Sequence, residues 1–208
     1  MASVLFLTAT DKERLKIKPL LARHSILEEL AVSWRIESVG YTDLEAACNT
    51  SVELTREYDL IVRLGYALVS YPTKIVGGTL FCGSSLQGPA AASLAGTEFY
   101  ASPAAGNGLV LSPVCTAGCF IGDVGVASRA WPYDTTVVYD DAMGGIVVAR
   151  NCISPATEIG AVYLGVVAPR HGSYSVSEFE ACCDVYPNVA GLVDAACELV
   201  EFWDIRSK

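Results

Sequence analysis

Apolar and polar positions along this chain switch repeatedly between two periods, a strand-like run or alternation followed by helix-like spacing. Val4 to Leu7 is a β-branched and aromatic run bounded by Thr8, Ala9 and Thr10, and a charged stretch from Asp11 to Leu30 follows. This predicts strand, turn and helix, with Thr10 or Asp11 as the cap and Pro19 as a break or the start of a second segment. Ala31 to Val39 alternates and stops at Gly40, while Thr42 to Tyr58 places Leu44, Ala47, Cys48, Val52 and Leu54 near helical spacing. Asp59 to Val69 and Lys74 to Cys82 read as strands, punctuated by Pro72 and Gly77-Gly78. Gly83 to Gly88 reads as a loop leading into a helix that starts at Pro89 and runs through Phe99. Further strands are predicted at Leu109 to Val114, Val124 to Ala127, Thr136 to Tyr139, Gly145 to Ala149 and Val162 to Ala168, with helices at Ser177 to Cys183 and Gly191 to Trp203. Strands alternating with helices predict an α/β fold, a mostly parallel or mixed central sheet with helices on both faces.

At 208 residues the chain suits a single domain spanning residues 1–208. Its 52% hydrophobic and 18% charged content fits strands covered on both faces. The 14 Lys and Arg stand against 23 Asp and Glu, a formal charge of −9, so no basic stripe is available for nucleic acid. Apolar runs such as Gly160 to Ala168 fall far short of the roughly 20 residues that span a bilayer. The N-terminus lacks a basic leader region and reads as the first strand of a cytoplasmic protein. The eight cysteines include no Cys-x-x-Cys pair, and His24 and His171 are the only histidines. Buried thiols are therefore expected, with no disulfide scaffold, zinc site or cofactor.

Residues 108–130 read Gly-Leu-Val-Leu-Ser-Pro-Val-Cys-Thr-Ala-Gly-Cys-Phe-Ile-Gly-Asp-Val-Gly-Val-Ala-Ser-Arg-Ala. This resembles a signature of the nucleoside phosphorylase and nucleosidase superfamily, in which a strand ends in a small-residue turn followed by Gly-Asp and a second strand. Such a turn lets backbone amides and a hydroxyl approach a phosphate or ribose at the strand's carboxyl end. The resemblance implies that Thr116 supplies the hydroxyl and Gly118 the close backbone approach. Residues 164–174, Leu-Gly-Val-Val-Ala-Pro-Arg-His-Gly-Ser-Tyr, and 186–198, Tyr-Pro-Asn-Val-Ala-Gly-Leu-Val-Asp-Ala-Ala-Cys-Glu, are similar to methylthioadenosine/S-adenosylhomocysteine nucleosidases and futalosine hydrolases. There a strand carries a base-stacking aromatic, and a later strand-to-helix junction carries a ribose-binding Met-Glu.

By that likeness Tyr174 is the stacking aromatic; Arg170 and His171, flanked by Pro169 and Gly172, are placed to meet a phosphate or carboxylate on a loop, which makes Arg170 a candidate substrate contact. The Met-Glu falls on Val193-Asp194, leaving Asp194 as the nearest carboxylate. Thr8-Ala9-Thr10-Asp11-Lys12-Glu13 resembles the first strand-to-helix turn, where hydrolytic members place a water-activating glutamate, here Glu13. The implied function is hydrolysis of the N-glycosidic bond of a purine-type or modified nucleoside by a homodimer or larger assembly. The alternative is a catalytically inactive ligand-binding or structural subunit that lacks the Met-Glu and the base-side aspartate.

Each candidate also has a plainer reading. Glu13 suits a first-turn acid favoured by the helix dipole, Thr116 a turn residue, Asp194 a helix cap, and Tyr174 a core or surface aromatic. Arg170 and His171 suit an exposed loop. Arg63, inside an apolar strand, needs a partner if it is buried. Glu13 and Thr116 are expected in one cleft beyond the strand ends, and Val200, Phe202 and Trp203 of the last helix are expected to favour self-association.

Overall fold

The computed structural model describes residues 2–69, 77–87, 97–100, 109–116, 137–167 and 175–208. Its seven strands are β1 (Ser3–Thr8), β2 (Ser33–Ser38), β3 (Leu60–Val69), β4 (Leu80–Gln87), β5 (Leu109–Cys115), β6 (Val138–Tyr139) and β7 (Glu158–Val167). The helices are α1 (Asp11–Leu21), α2 (Ser25–Glu29), α3 (Asp43–Glu53), α4 (Met143–Ile153), α5 (Val176–Val185) and α6 (Val189–Ser207). The strands form one sheet in the order β2-β1-β3-β6-β5-β4-β7, and β7 also pairs with β3, so the last five strands close on themselves. Five pairings are parallel and two, β3 with β6 and β4 with β7, are antiparallel. This is the mixed sheet with helices on both faces that the alternating pattern predicts.

All ten residues of β3 are buried, because β7 runs along the whole of one edge while β1 pairs with the first residues and β6 with the last along the other. Period-two alternation then sorts side chains between layers. Leu60, Val62 and Leu64 join Val4 and Phe6 of β1 against Ile17 and Leu21 of α1 and a run of α6 side chains. Ile61, Ala67 and Val69 join Leu5 and Leu7 against Ala46 of α3 and Met143, Ile146 and Val147 of α4. Val200 and Trp203 of α6 belong to the first of these layers, and Phe202 packs partly against it. Val200 and Trp203 thus serve the chain's own core, while Phe202 is half-buried.

Helix starts explain much of the local geometry. Three repeat the pattern Ser/Thr-x-x-Glu, and in each the hydroxyl accepts from the third residue's amide while the glutamate accepts from the cap's amide: Thr10 with Glu13, Thr42 with Glu45, Ser175 with Glu178. α1 continues through Pro19 to Leu21, because a proline in the last turn forfeits only one backbone bond there. Asn188 caps α6 through Gly191 N at 3.2 Å, so Asp194 lies inside the helix and is not its cap.

α4 corrects the sequence reading most sharply. Gly145 to Ala149, expected as a strand, lies in its middle. Ala142 supplies no side-chain cap; instead Asp140 Oδ1 accepts from Ala142 N at 3.1 Å and Asp43 Oδ1 from Gly145 N at 2.9 Å. The orphan amides of the first turn are thus satisfied from β6 and α3. A Cβ on Gly145 would stand 2.0 Å from the Asp43 carbonyl oxygen and 2.7 Å from Ala47 N, so glycine sets how closely α3 and α4 approach. Gly83 to Gln87, read as loop, belongs to β4; Glu98, read as helix, makes an isolated strand-type bridge with Ser85, and Tyr100 makes one with Gly160. Val124 to Ala127 lies outside the described residues.

Arg63, at the centre of β3, has a side chain only 1% exposed. Its Nε donates to Asp140 Oδ2 at 2.8 Å and its Nη2 to Asp140 Oδ1 at 3.4 Å. Nη1 donates to the carbonyls of Leu64 at 2.7 Å and Leu7 at 3.3 Å. Tyr163 of β7 donates to Asp140 Oδ2 at 2.9 Å and lies with its ring centroid 5.7 Å from the guanidinium. Burial opposes the Arg63 charge, yet Asp140 and Glu13 outweigh it and hold the guanidinium pKa above its ordinary value.

Two outcomes are expected. Arg63→Met leaves Asp140 buried without its partner and should cost about 3–5 kcal/mol of unfolding free energy, whereas Arg63→Met combined with Asp140→Leu should recover part of it; urea titration of the three proteins checks this. Gly145→Ala should cost about 1–3 kcal/mol and lower Tm, since backbone atoms, not a side-chain tip, must move.

Candidate functional site

The carboxyl ends of β1, β3, β5 and β6 converge with the starts of α1, α3 and α4. Thr116 follows the last residue of β5, and Cys115 pairs with Tyr139, which pairs with Leu68 of β3. Glu13 reaches the same strand too, accepting from Tyr66 N through Oε1 at 3.0 Å. Glu13 and Thr116 therefore meet β3 near the same end.

Glu13 is 6% exposed. Its Oε2 accepts from Ala9 N at 2.8 Å and Thr10 N at 3.1 Å. With Tyr66 N, three backbone amides occupy three of the roughly four acceptor positions of a carboxylate, leaving one on Oε1. Gly65 makes this approach possible: at φ +155° a Cβ there would lie 2.8 Å from Glu13 Oε1 and 2.9 Å from Arg63 Nη1. Burial pushes the Glu13 carboxyl above its ordinary pKa, while Arg63 and the three amides pull it down.

The Thr116 hydroxyl is within 3.1 Å of Asp43 Oδ1 and 3.4 Å of the Asp141 carbonyl, and the residue is 1% exposed. Its donor is directed into the protein. Asp43, at the first position of α3, thereby ties the ends of β5 and the start of α4 together; burial raises its pKa against the Gly145 amide and the Thr116 hydroxyl.

Two adjoining recesses open here and share Tyr41 and Tyr66. The first is bounded by Glu13, Lys12, Lys16 and Asp184; the second by Arg63, Tyr139, Asp140, Asp141 and Phe179. They enclose about 10 and 20 Å³, room for an ordered water in each but not, among the described residues alone, for a nucleoside. Burial pushes the hydroxyls of Tyr41 and Tyr66 up, that of Tyr66 to about 12. Lys12 and Lys16 reach Asp184 of α5 at 2.8 and 2.6 Å along the rim and hold its carboxyl down at about 2.

Asp194 sits elsewhere. It is 63% exposed on α6 and faces His24 at 3.2 Å. His24 follows α1, while Glu13 lies in its first turn, a separation along the helix of roughly 16 Å. The described strand-to-helix junction beyond Thr116 is β6 to α4, through Asp140, Asp141 and Ala142. Asp141 is 7% exposed and lines the second recess. The acidic pair following an apolar Val-Val-Tyr strand was the available signal; the apolar run after it disguised the helix. Gly118, Arg170 and Tyr174 lie outside the described residues.

No family model and no curated protein matches the sequence. Solved structures do. The 5′-methylthioadenosine nucleosidase of Arabidopsis thaliana superposes with a TM-score of 0.74 at 13% identity, covering 97% of this chain and 96% of that one. The MTA/SAH nucleosidase of Streptococcus pneumoniae, in complex with 8-aminoadenine, gives 0.68 at 11% identity over 97% and 100%. A futalosine hydrolase mutant of Helicobacter pylori gives 0.60 at 10% identity over 100% of both chains. At these identities the likeness is one of fold: along nearly its whole length, this chain has the fold of the methylthioadenosine/S-adenosylhomocysteine nucleosidases and futalosine hydrolase.

Proposed function

We propose that this chain binds a purine-type or modified nucleoside beyond the carboxyl ends of β1, β3 and β6 and hydrolyses its N-glycosidic bond. The observation that supports this reading is Glu13: a buried carboxylate, fixed by three amides, with one acceptor position remaining, beside a recess with room for a water. A water donating to Oε1 would pass its proton to Glu13 while its oxygen bonds to the anomeric carbon. The electron pair of the glycosidic bond leaves with the base, which takes a proton from solvent as it departs, and Glu13 returns the proton it received to solvent. A carboxylate raised by burial is a stronger base than an exposed one. Asp141, at the strand-to-helix junction, is the residue proposed to hold the ribose, in place of Asp194.

A second reading, a ligand-binding subunit without catalysis, is favoured by one observation: Thr116 and Asp140 already spend their polar groups on protein partners. Release of free base from a panel of purine and 5′-substituted nucleosides, with and without phosphate, separates the two. Base release independent of phosphate is expected; none from any nucleoside would establish the second reading.

The rate should fall on the acid side as Glu13 takes up a proton, with its midpoint above the ordinary carboxylate range; a profile flat from pH 4 to 8 removes Glu13 from the mechanism. Glu13→Gln should lower turnover by ~10²–10⁴-fold. Its amide would also turn a donor toward a backbone donor, so Tm should fall too, and nucleoside affinity must be measured alongside. Asp141→Asn should weaken nucleoside binding at least ~10-fold, whereas Asp194→Asn should stay within about twofold of wild type in affinity and turnover.

A further inference from the structure

A larger cavity, about 290 Å³, opens at the opposite end of the sheet, where β7 begins at Glu158. Glu158 pairs with Leu60 at the start of β3, six residues before the Tyr66 amide that binds Glu13, or roughly 20 Å along the strand. The cavity is therefore separate from the recesses beside Glu13, and its volume approaches the lower end of small-molecule sites, about 300 Å³.

Its wall holds two guanidinium groups that no carboxylate pairs with among the described residues. Arg150, in the last turn of α4, donates only one long bond, from Nη1 to the Pro155 carbonyl at 3.3 Å, and its Nε is buried without a partner. Burial lowers its pKa. Arg206, in the last turn of α6, lies over the Tyr100 ring at 5.5 Å. Glu98 and Glu158 line the same cavity without ion-pairing to either arginine. Arg150 is half-buried and Arg206 exposed; among the described residues neither guanidinium has a counter-ion, and the planar fork of each matches the oxygens of phosphate or carboxylate. The two glutamates, both exposed at the cavity's rim, offer acceptors to donors on the other part of an occupant.

We propose that this cavity binds a small hydroxylated organic oxyanion, its phosphate or carboxylate held by Arg150 and Arg206 and its hydroxyls donating to Glu98 and Glu158. The site is independent of the nucleoside reading.

Calorimetric titration of the whole chain with glycerol 3-phosphate and with L-malate, at matched ionic strength, distinguishes the two oxyanion sources. At least one should bind with Kd below about 1 mM, and Arg150→Met and Arg206→Met should each weaken it by at least ~10-fold. Arg150→Met removes an unpaired buried donor while keeping a long apolar chain, so without ligand its Tm should equal or exceed that of wild type. This separates lost binding from lost folding, and the exposed Arg206 provides a second, structurally mild variant. No heat from either probe at about 10 mM, or wild-type affinity in both variants, overturns the proposal.

Discussion

An arginine in the middle of a fully buried strand is tolerable only if the fold brings a carboxylate to it, and that requirement organises this molecule. Asp140 meets Arg63 with two oxygens, takes the Tyr163 hydroxyl on one of them, and uses the other to hold the amide of Ala142, the residue just before α4. β3, β6, β7 and α4 are thus fixed by one carboxylate. On the opposite side the same guanidinium lies near Glu13 and contributes to its electrostatics. The buried network is nearly saturated with partners, the condition under which buried polar groups specify one arrangement rather than weaken it.

The consequence for chemistry is that the groups beside the recesses are already oriented before any ligand arrives. Three amides fix the Glu13 carboxylate, and Asp43 and the Asp141 carbonyl hold the Thr116 hydroxyl. Preorganisation of this kind suits a general base, which gains from a fixed direction. It suits a ligand hydroxyl less well at Thr116, whose donor is engaged and which is 1% exposed and lines neither recess. Glu13 and Asp141 therefore stand as the more accessible pair, and both face recesses that share Tyr41 and Tyr66.

The two ends of the sheet also differ in character. At the carboxyl ends of β1 and β3, charges are paired and enclosed space is small; at the beginning of β7, two arginines and two glutamates surround a wider cavity without pairing. Surface ion pairs contribute little, so the absence of pairing there costs little stability at Arg206. At Arg150 the Nε is buried without a hydrogen-bond partner among the described residues.

Local sequence determined whatever depends on neighbours within a few residues. Thr10 and Glu13, Thr42 and Glu45, and Ser175 and Glu178 write three capping boxes that need no tertiary context. The β-branched runs of β1, β3 and β7 announce strands buried on both faces, and Arg63 announced the need for a partner without naming it. Tertiary structure decided the rest. Met143 to Ile153 is apolar nearly all round and starts without a cap of its own, so its periodicity cannot separate a buried helix from a strand; Asp43, 102 residues away, supplies the missing acceptor. Asp194 and Asp141 are both acids in apolar surroundings along the chain. Only folding puts one on the exposed face of a helix against His24 and the other at the end of a strand beside Tyr139, because burial and proximity arise from packing between distant segments.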